Sequence, residues 1–296
     1  MGERSIIFSG SVSIHAVYHT PDAGADASRG VVFVHGWSGY GIGPHRMFVN
    51  AARKLAACGF HCLRLDLGGR GDSDGNEETV DLDQMIADTL SAVRLLRRQG
   101  VREVYIVGIC SGGNVALGAA SLDKSIAGLA LWSTPLFAPF KSRTDELRRT
   151  VLLLAGYARK ALQRQTWARL LAGKIHFRLI GRILFRRNSP RDGVPARPAP
   201  GNAPSTEPAR PARNPKDSRR DVMKDLVGYH GPMLFIYGSA DDEAAGAPEF
   251  YRQFCSEHHI PNLFYIIDGA NHSFYSLQWE RDVIDKTVGW LTGQTT

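Results

Sequence analysis

Val104-Tyr105-Ile106-Val107-Gly108-Ile109-Cys110-Ser111-Gly112-Gly113-Asn114-Val115-Ala116-Leu117 is the stretch around which the rest of the chain is organised. An apolar run rich in β-branched residues meets a turn in which a nucleophilic side chain stands between small residues. It then passes straight into an alanine-rich helical pattern. That is the strand-turn-helix context of a nucleophile elbow, with Gly108 and Gly112 as the small residues and Cys110 as the nucleophile. A sharp, strained turn tolerates no bulk on either side, which gives both glycines their physical role. Two other readings of the same stretch stand beside this one. Cys110 can be a small buried apolar residue, as free cysteines often are, or Ser111 can be the nucleophile in a frame shifted by one, which puts Ile109 where a small residue is wanted.

Outward from the elbow, strands and helices alternate. Residues 5–9 and 11–19 alternate apolar and polar around Gly10, as an antiparallel pair at a sheet edge does. Residues 30–34 and 60–66 are short continuous apolar runs, the mark of strands buried on both faces. Between them a glycine-rich loop from Trp37 to Pro44 opens a helix expected over 45–57. Leu82, Ile86, Leu90, Val93 and Leu96 share one face of a helix expected over 79–99, which Gly100 ends. After the elbow and its helix, residues 126–132 read as another buried strand. Strands resume over 231–238 and 262–267, separated by a helix over 247–258 and followed by a terminal helix carrying Trp279, Val283, Val288 and Leu291. The alternation predicts an α/β fold, a mostly parallel sheet with helices on both faces.

At Pro135 the rhythm stops. Ser142 with Asp145 reads as a capping box, and Leu147, Val151, Leu154, Ala158 and Leu162 form an apolar stripe on a basic helix. A second helix is expected from about Thr166. Residues 188–216 carry eight prolines among alanine, arginine and polar residues, the composition of an extended linker. The expected organisation is a core of 1–134 and 221–296, a helical basic cap over 135–187, and a Pro/Arg-rich flexible linker over 188–220.

A chain of 296 residues can bury one large α/β core with an insertion. Its net charge of +7 is uneven: residues 141–220 hold 20 Lys or Arg against 5 Asp or Glu, and the remainder 16 against 24. The basic character therefore belongs to the insertion, and the body is acidic. Cys58, Cys62, Cys110 and Cys255 show no paired framework, and Cys58 with Cys62 lacks a second pair for zinc. No metal or cofactor is expected. No apolar run reaches membrane-spanning length, and the opening MGERSIIF has neither the basic leader nor the apolar core of a signal peptide, so a cytoplasmic protein is expected.

The loop from Gly36 to Gly43, followed by Asp66 at the end of the next strand, invites a dinucleotide reading. Its glycines fall as G-x-x-G-x-G, however, and nothing in that reading uses Cys110 or His272. Better placed are the loop Gly238-Ser239-Ala240-Asp241, with Asp242 beside it, and the loop Gly269-Ala270-Asn271-His272-Ser273-Phe274. Each follows a strand, and together they offer an acid and a histidine after the nucleophile in chain order. His272 also admits a purely structural role, and His35 is better suited to shaping its loop than to moving protons.

His35-Gly36 after a strand, Asp66-x-x-Gly69-x-Gly71-x-Ser73, the elbow, and the order Cys110, Asp241, His272 together resemble the α/β-hydrolase superfamily over most of the chain outside 141–220. More narrowly, Gly43-Pro44-His45-Arg46-x-Phe48, the loop 66–75, Gln165-Thr166-Trp167-Ala168-Arg169-Leu170-Leu171 and Asn271-His272-Ser273-Phe274 look like the hydrolases associated with exosortase A systems. The resemblance implies that Cys110 attacks an acyl carbonyl, His272 accepts and returns the proton, and Asp241 orients His272. It also implies that the backbone N–H groups of Trp37 and Ser111 hold the oxyanion. The partner it implies is a small-molecule acyl substrate, hydrolysed as an ester or thioester, or passed as an acyl group to a sugar or alcohol in envelope or exopolysaccharide biosynthesis. As the superfamily's cap does, the basic helices over 142–187 are expected to line the acyl pocket with their apolar face. Their outer face either stays solvated or meets an anionic membrane surface or an acidic partner, which would place the protein at the inner membrane face, and in the extreme reading make it a non-enzymatic binding protein. No nucleic-acid fold or aromatic platform accompanies the arginines.

Overall fold

The computed structural model describes residues 2–21, 28–137 and 216–293. Its strands are β1 (Gly2–Ser9), β2 (Ser13–Thr20), β3 (Arg29–Val34), β4 (His61–Leu65), β5 (Glu103–Ile109), β6 (Gly128–Trp132), β7 (Met233–Gly238) and β8 (Asn262–Ile267). Among the described residues these make one sheet in the order β1-β2-β4-β3-β5-β6-β7-β8. β1 and β2 pair antiparallel, β2 meets β4 antiparallel, and every other pairing is parallel. This is the mostly parallel α/β sheet that the alternation predicts, in the α/β-hydrolase arrangement that the resemblance implies.

The helices are α1 (Met47–Ala57), α2 (Leu82–Arg98), α3 (Ser111–Leu122), α4 (Val222–Leu226), α5 (Ala247–Glu257) and α6 (Leu277–Thr292). Successive strand residues point to opposite faces, so Val32 and Val34 pack with α2 and α3 while Val31 and Phe33 pack with α1 and α6. Fully burying each such side chain contributes roughly 2 kcal/mol. The one polar atom of the buried Trp132 indole is satisfied by Thr287 Oγ1 at 3.0 Å, so the α6 face stays closed without an orphaned donor.

Several boundaries move from the sequence expectation for local reasons. The helix expected over 45–57 is delayed because His45 and Arg46 adopt positive φ (48° and 69°), leaving a 3₁₀ turn over Pro44–Arg46 before α1. α2 starts at Leu82 rather than near 79 because the Asp81 carboxylate accepts the Gln84 N–H at 2.9 Å and caps the helix there. α4 is too short to show a periodic pattern, and Asp221 caps it. Of the flexible linker expected over 188–220, residues 216–220 are described, and they are tied to the start of α2. Ser218 is buried, its hydroxyl donating to Asp83 Oδ1 at 2.5 Å, and Arg219 N–H donates to Asp83 Oδ2 at 2.8 Å. The helices expected within 138–187 and the rest of that linker lie outside the described residues. Among the described residues no helix is long and apolar enough to cross a membrane.

Register positions the site. Val34 lies opposite Gly108, Ile109 opposite Trp132, and Gly238 opposite Ile267. The segments that leave β3, β5, β7 and β8 therefore emerge along one edge, the carboxyl end of the parallel strands, where ligands bind in sheets of this kind.

Candidate active site

Cys110 stands between β5 and α3 with φ 55° and ψ −132°. A non-glycine residue in such a conformation costs about 1–3 kcal/mol and persists only where its surroundings hold it. The holding is visible: Cys110 N–H donates to Trp132 O at 2.9 Å, and Cys110 O accepts from Gly113 N–H at 2.9 Å. A Cβ on Gly108 would lie 2.5 Å from Gly112 O, and one on Gly112 only 2.2 Å from Val34 O, so the two glycines are required by packing against backbone. Cys110 is half-buried, whereas Cys62 and Cys255 are buried and burial pushes both thiols up, Cys255 to about 12. Thiols so raised are poor nucleophiles.

The acid and the histidine come together. Asp241 Oδ1 lies 2.8 Å from His272 Nδ1, and the same oxygen accepts the N–H groups of Glu243 and Ala244 at 3.1 Å each. Of the two adjacent aspartates it is thus Asp241 that holds the ring. His272 Nε2 has no hydrogen-bonded partner among the described residues. The Cys110 thiol is near enough to interact with the ring. Burial disfavours the charged ring, yet the hydrogen bond with Asp241 and the neighbouring thiol outweigh it, raising the His272 pKa to about 10.

On the opposite side stands the segment after β3. Trp37 N–H, expected as a free oxyanion donor, instead donates to Ser111 Oγ at 2.6 Å. Ser111 N–H opens α3, where by position it has no intrahelical acceptor. Behind Trp37 the buried Arg70 donates through Nε to Trp37 O and stacks on the indole, its Cζ 4.8 Å from the ring centroid. Arg70 is delivered by the loop after β4, and that loop is stapled by Asp66. Asp66 Oδ1 accepts Gly41 N–H at 2.6 Å, Oδ2 accepts Asp72 N–H at 3.0 Å, and the Asp66 carbonyl accepts Ser73 Oγ–H at 2.5 Å. Ligand atoms of His15, Asp66 and Asp72 lie within 4.8 Å of one another, but the Asp66 oxygens already serve these backbone amides. That makes the cluster a loop staple. The glycine-rich loop likewise offers no phosphate cradle, since the N–H groups of Gly39, Gly41 and Gly43 are held by Gly36 O, Asp66 and Tyr40 O.

Cys110, Ser111 and His272 open into a cavity of about 770 Å³ whose apolar wall includes Trp37, Leu136 and Phe137. A space of that size accepts a small organic molecule.

Residues 31–286 match the model of the alpha/beta hydrolase family. The chain belongs to that family. Among solved structures, this alpha/beta hydrolase is similar to Est1E from Butyrivibrio proteoclasticus with ferulic acid bound, at 18% identity, a TM-score of 0.63 and 98% coverage of both chains. It is also similar to an esterase from Pyrococcus furiosus (17% identity, TM-score 0.61, 100% of this chain and 92% of that one). An alpha-beta serine hydrolase homologue from Coxiella burnetii matches at 12% identity and a TM-score of 0.58, covering 100% of this chain and 99% of the other. At these identities the likeness is one of fold. Comparison with curated proteins finds no significant sequence match.

One residue of this hydrolase's site, Arg70, carries no sequence signal of its own, and His35, read from the sequence as shaping its loop, gets its hydrogen-bond partners only from the structure. Arg70 reads as one charge in a glycine-rich loop until the sheet brings it under Trp37. His35 follows β3 fully buried, its role set by groups at Gly36 and Leu67.

Proposed function

We propose that this protein hydrolyses an ester or thioester through an acyl-enzyme on Cys110. The observation that carries the reading is the Asp241–His272 hydrogen bond, which engages Nδ1 and leaves Nε2 for the thiol at the elbow. With the proton of the Cys110–His272 pair held on His272 Nε2, as the raised pKa of the ring favours, the sulfur attacks the acyl carbon and the carbonyl π electrons move to oxygen. When the tetrahedral species collapses, the bond to the leaving alcohol or thiol breaks and His272 returns the proton to that group. Water then attacks the acyl carbon, giving a proton to His272, and the C–S bond breaks to release the acid and restore the Cys110–His272 pair with its shared proton. Asp241 keeps the ring in the orientation and tautomer that allow both transfers.

The motifs that resemble those of exosortase-associated hydrolases favour an acyl group drawn from envelope or exopolysaccharide chemistry, and an acceptor alcohol in place of water uses the same intermediate. Partition of the acyl-enzyme between water and added alcohols separates hydrolysis from transfer. The test of the nucleophile uses the full chain with short-chain p-nitrophenyl esters and acyl-thioesters. Cys110→Ala abolishes turnover, and a quenched wild-type reaction shows the acyl mass on the peptide containing Cys110. Equal activity in the variant overturns the assignment.

A further inference from the structure

The hydrogen bond between Trp37 N–H and Ser111 Oγ places a hydroxyl where the oxyanion is expected. What that hydroxyl does depends on its proton. Ser111 is half-buried and lines the cavity beside Cys110, and among the described residues its O–H has no acceptor. An accepted hydrogen bond on one side makes a hydroxyl a better donor on the other.

The donor feeding Ser111 is itself reinforced. Trp37 N–H belongs to the peptide whose carbonyl is Gly36 O, and that oxygen is engaged by both His35 Nδ1 at 2.8 Å and Gly39 N–H at 3.0 Å. His35 Nε2 faces Leu67 N–H at 3.0 Å. A backbone amide can only donate, so Nε2 accepts, and the ring proton sits on Nδ1, aimed at Gly36 O. Burial keeps this ring neutral, pushing its pKa down to about 4. The hydrogen bonds thus run one way, from Leu67 N–H through His35 to Gly36 O, across the 36–37 peptide to Trp37 N–H, and on to Ser111 Oγ at the cavity wall.

We propose that the Ser111 hydroxyl is itself an oxyanion donor, accepting Trp37 N–H and giving its own O–H to the carbonyl oxygen that gains charge when Cys110 attacks. The site then presents Ser111 O–H together with Ser111 N–H, with the Trp37 amide acting through the hydroxyl. His35 is a positioning residue in this arrangement. The proposal rests on the acyl-enzyme reading above.

Alkylation by iodoacetamide displaces iodide at an sp³ carbon and creates no oxyanion, whereas acyl transfer does. With the full chain, Ser111→Ala is expected to lower kcat on a p-nitrophenyl ester on the order of a hundredfold, with KM nearly unchanged. Cys110 alkylation should keep its wild-type rate, and Ser111→Thr, which retains the hydroxyl, should recover most of kcat. Unchanged or raised kcat in Ser111→Ala means the hydroxyl only fills the hole and overturns the proposal. Loss of alkylation in parallel with kcat means that Ser111 acts on the thiol or on the integrity of the elbow, and overturns it too. Turnover retained by Cys110→Ala removes the acyl-enzyme reading and this proposal with it, whereas turnover retained by Ser111→Ala alone removes only this one.

Discussion

The two walls of the cavity are built differently. The Trp37 wall is fastened at every turn: its carbonyl by Arg70, the preceding carbonyl by His35 and Gly39, its N–H by Ser111, and the supporting loop by Asp66. The His272 wall rests on one side-chain hydrogen bond; among the described residues Asp241 Oδ2 and His272 Nε2 make none, Nε2 standing 3.7 Å from the exposed Glu243 carboxylate, while on the Trp37 wall only Arg70 Nη2 lacks a hydrogen bond. An unpaired buried acceptor or donor is costly, and His272, whose Nε2 makes no hydrogen bond, lines the cavity together with Cys110. Fixed dipoles do their work by not moving when charge develops. A proton carrier needs an open valence on the side facing the reaction.

The largest effect that tests this contrast is expected on the loose wall. Asp241→Asn removes the carboxylate that holds His272 and should lower kcat/KM on the order of a thousandfold or more. It should also collapse the raised His272 pKa, read by NMR titration of the ring. A variant with a normal His272 pKa and full activity would show that the pair is structural only. Next comes the tight wall. Arg70→Ala leaves Trp37 O without its buried donor and should lower kcat on the order of tenfold through misplacement of Trp37. Cys110 alkylation should be unaffected, since Arg70 lies behind Trp37. Equal losses in both measurements would mean that the two walls are not separable.

The smallest expected effect is on stability against pH, and the two walls should titrate at opposite ends. His35 is held near 4, below the ordinary 6.5, so between those values the unfolded chain binds more protons than the folded one. Stability is therefore lost as pH falls through that window, by up to roughly 3 kcal/mol from this ring. His272, raised to about 10, contributes stability that is present below 6.5 and lost as pH climbs through 10. Urea unfolding at pH 7.5 and pH 4.5 should show the acid loss, and His35→Gln should be weaker at pH 7.5 but lose less on acidification. His19, also lowered to about 4 by burial, supplies the acid loss that remains in the variant. An unaltered acid loss in His35→Gln would assign the whole effect elsewhere.

Much of this was legible in the sequence, because the signals are local. β-branched runs separated by helical stripes imply a parallel sheet wherever they occur. Glycine at 108 and 112 marks a turn whose backbone leaves no room for Cβ. Chain order alone brought an aspartate and a histidine after the elbow. Other features were invisible because they are contacts between segments far apart in the chain, made only when strands align. Asp241 rather than Asp242 meets His272 because one rotation of a loop after β7 aims it there, a difference of one residue that no pattern resolves. Trp37 N–H meets a hydroxyl 74 positions away because β3 and β5 are neighbours in register. The sequence thus determined the fold and the set of reactive groups, through backbone geometry and periodicity that act over a few residues. Only the tertiary structure decided which hydrogen bonds those groups make, because each depends on an approach of a few tenths of an ångström set by packing of the whole sheet.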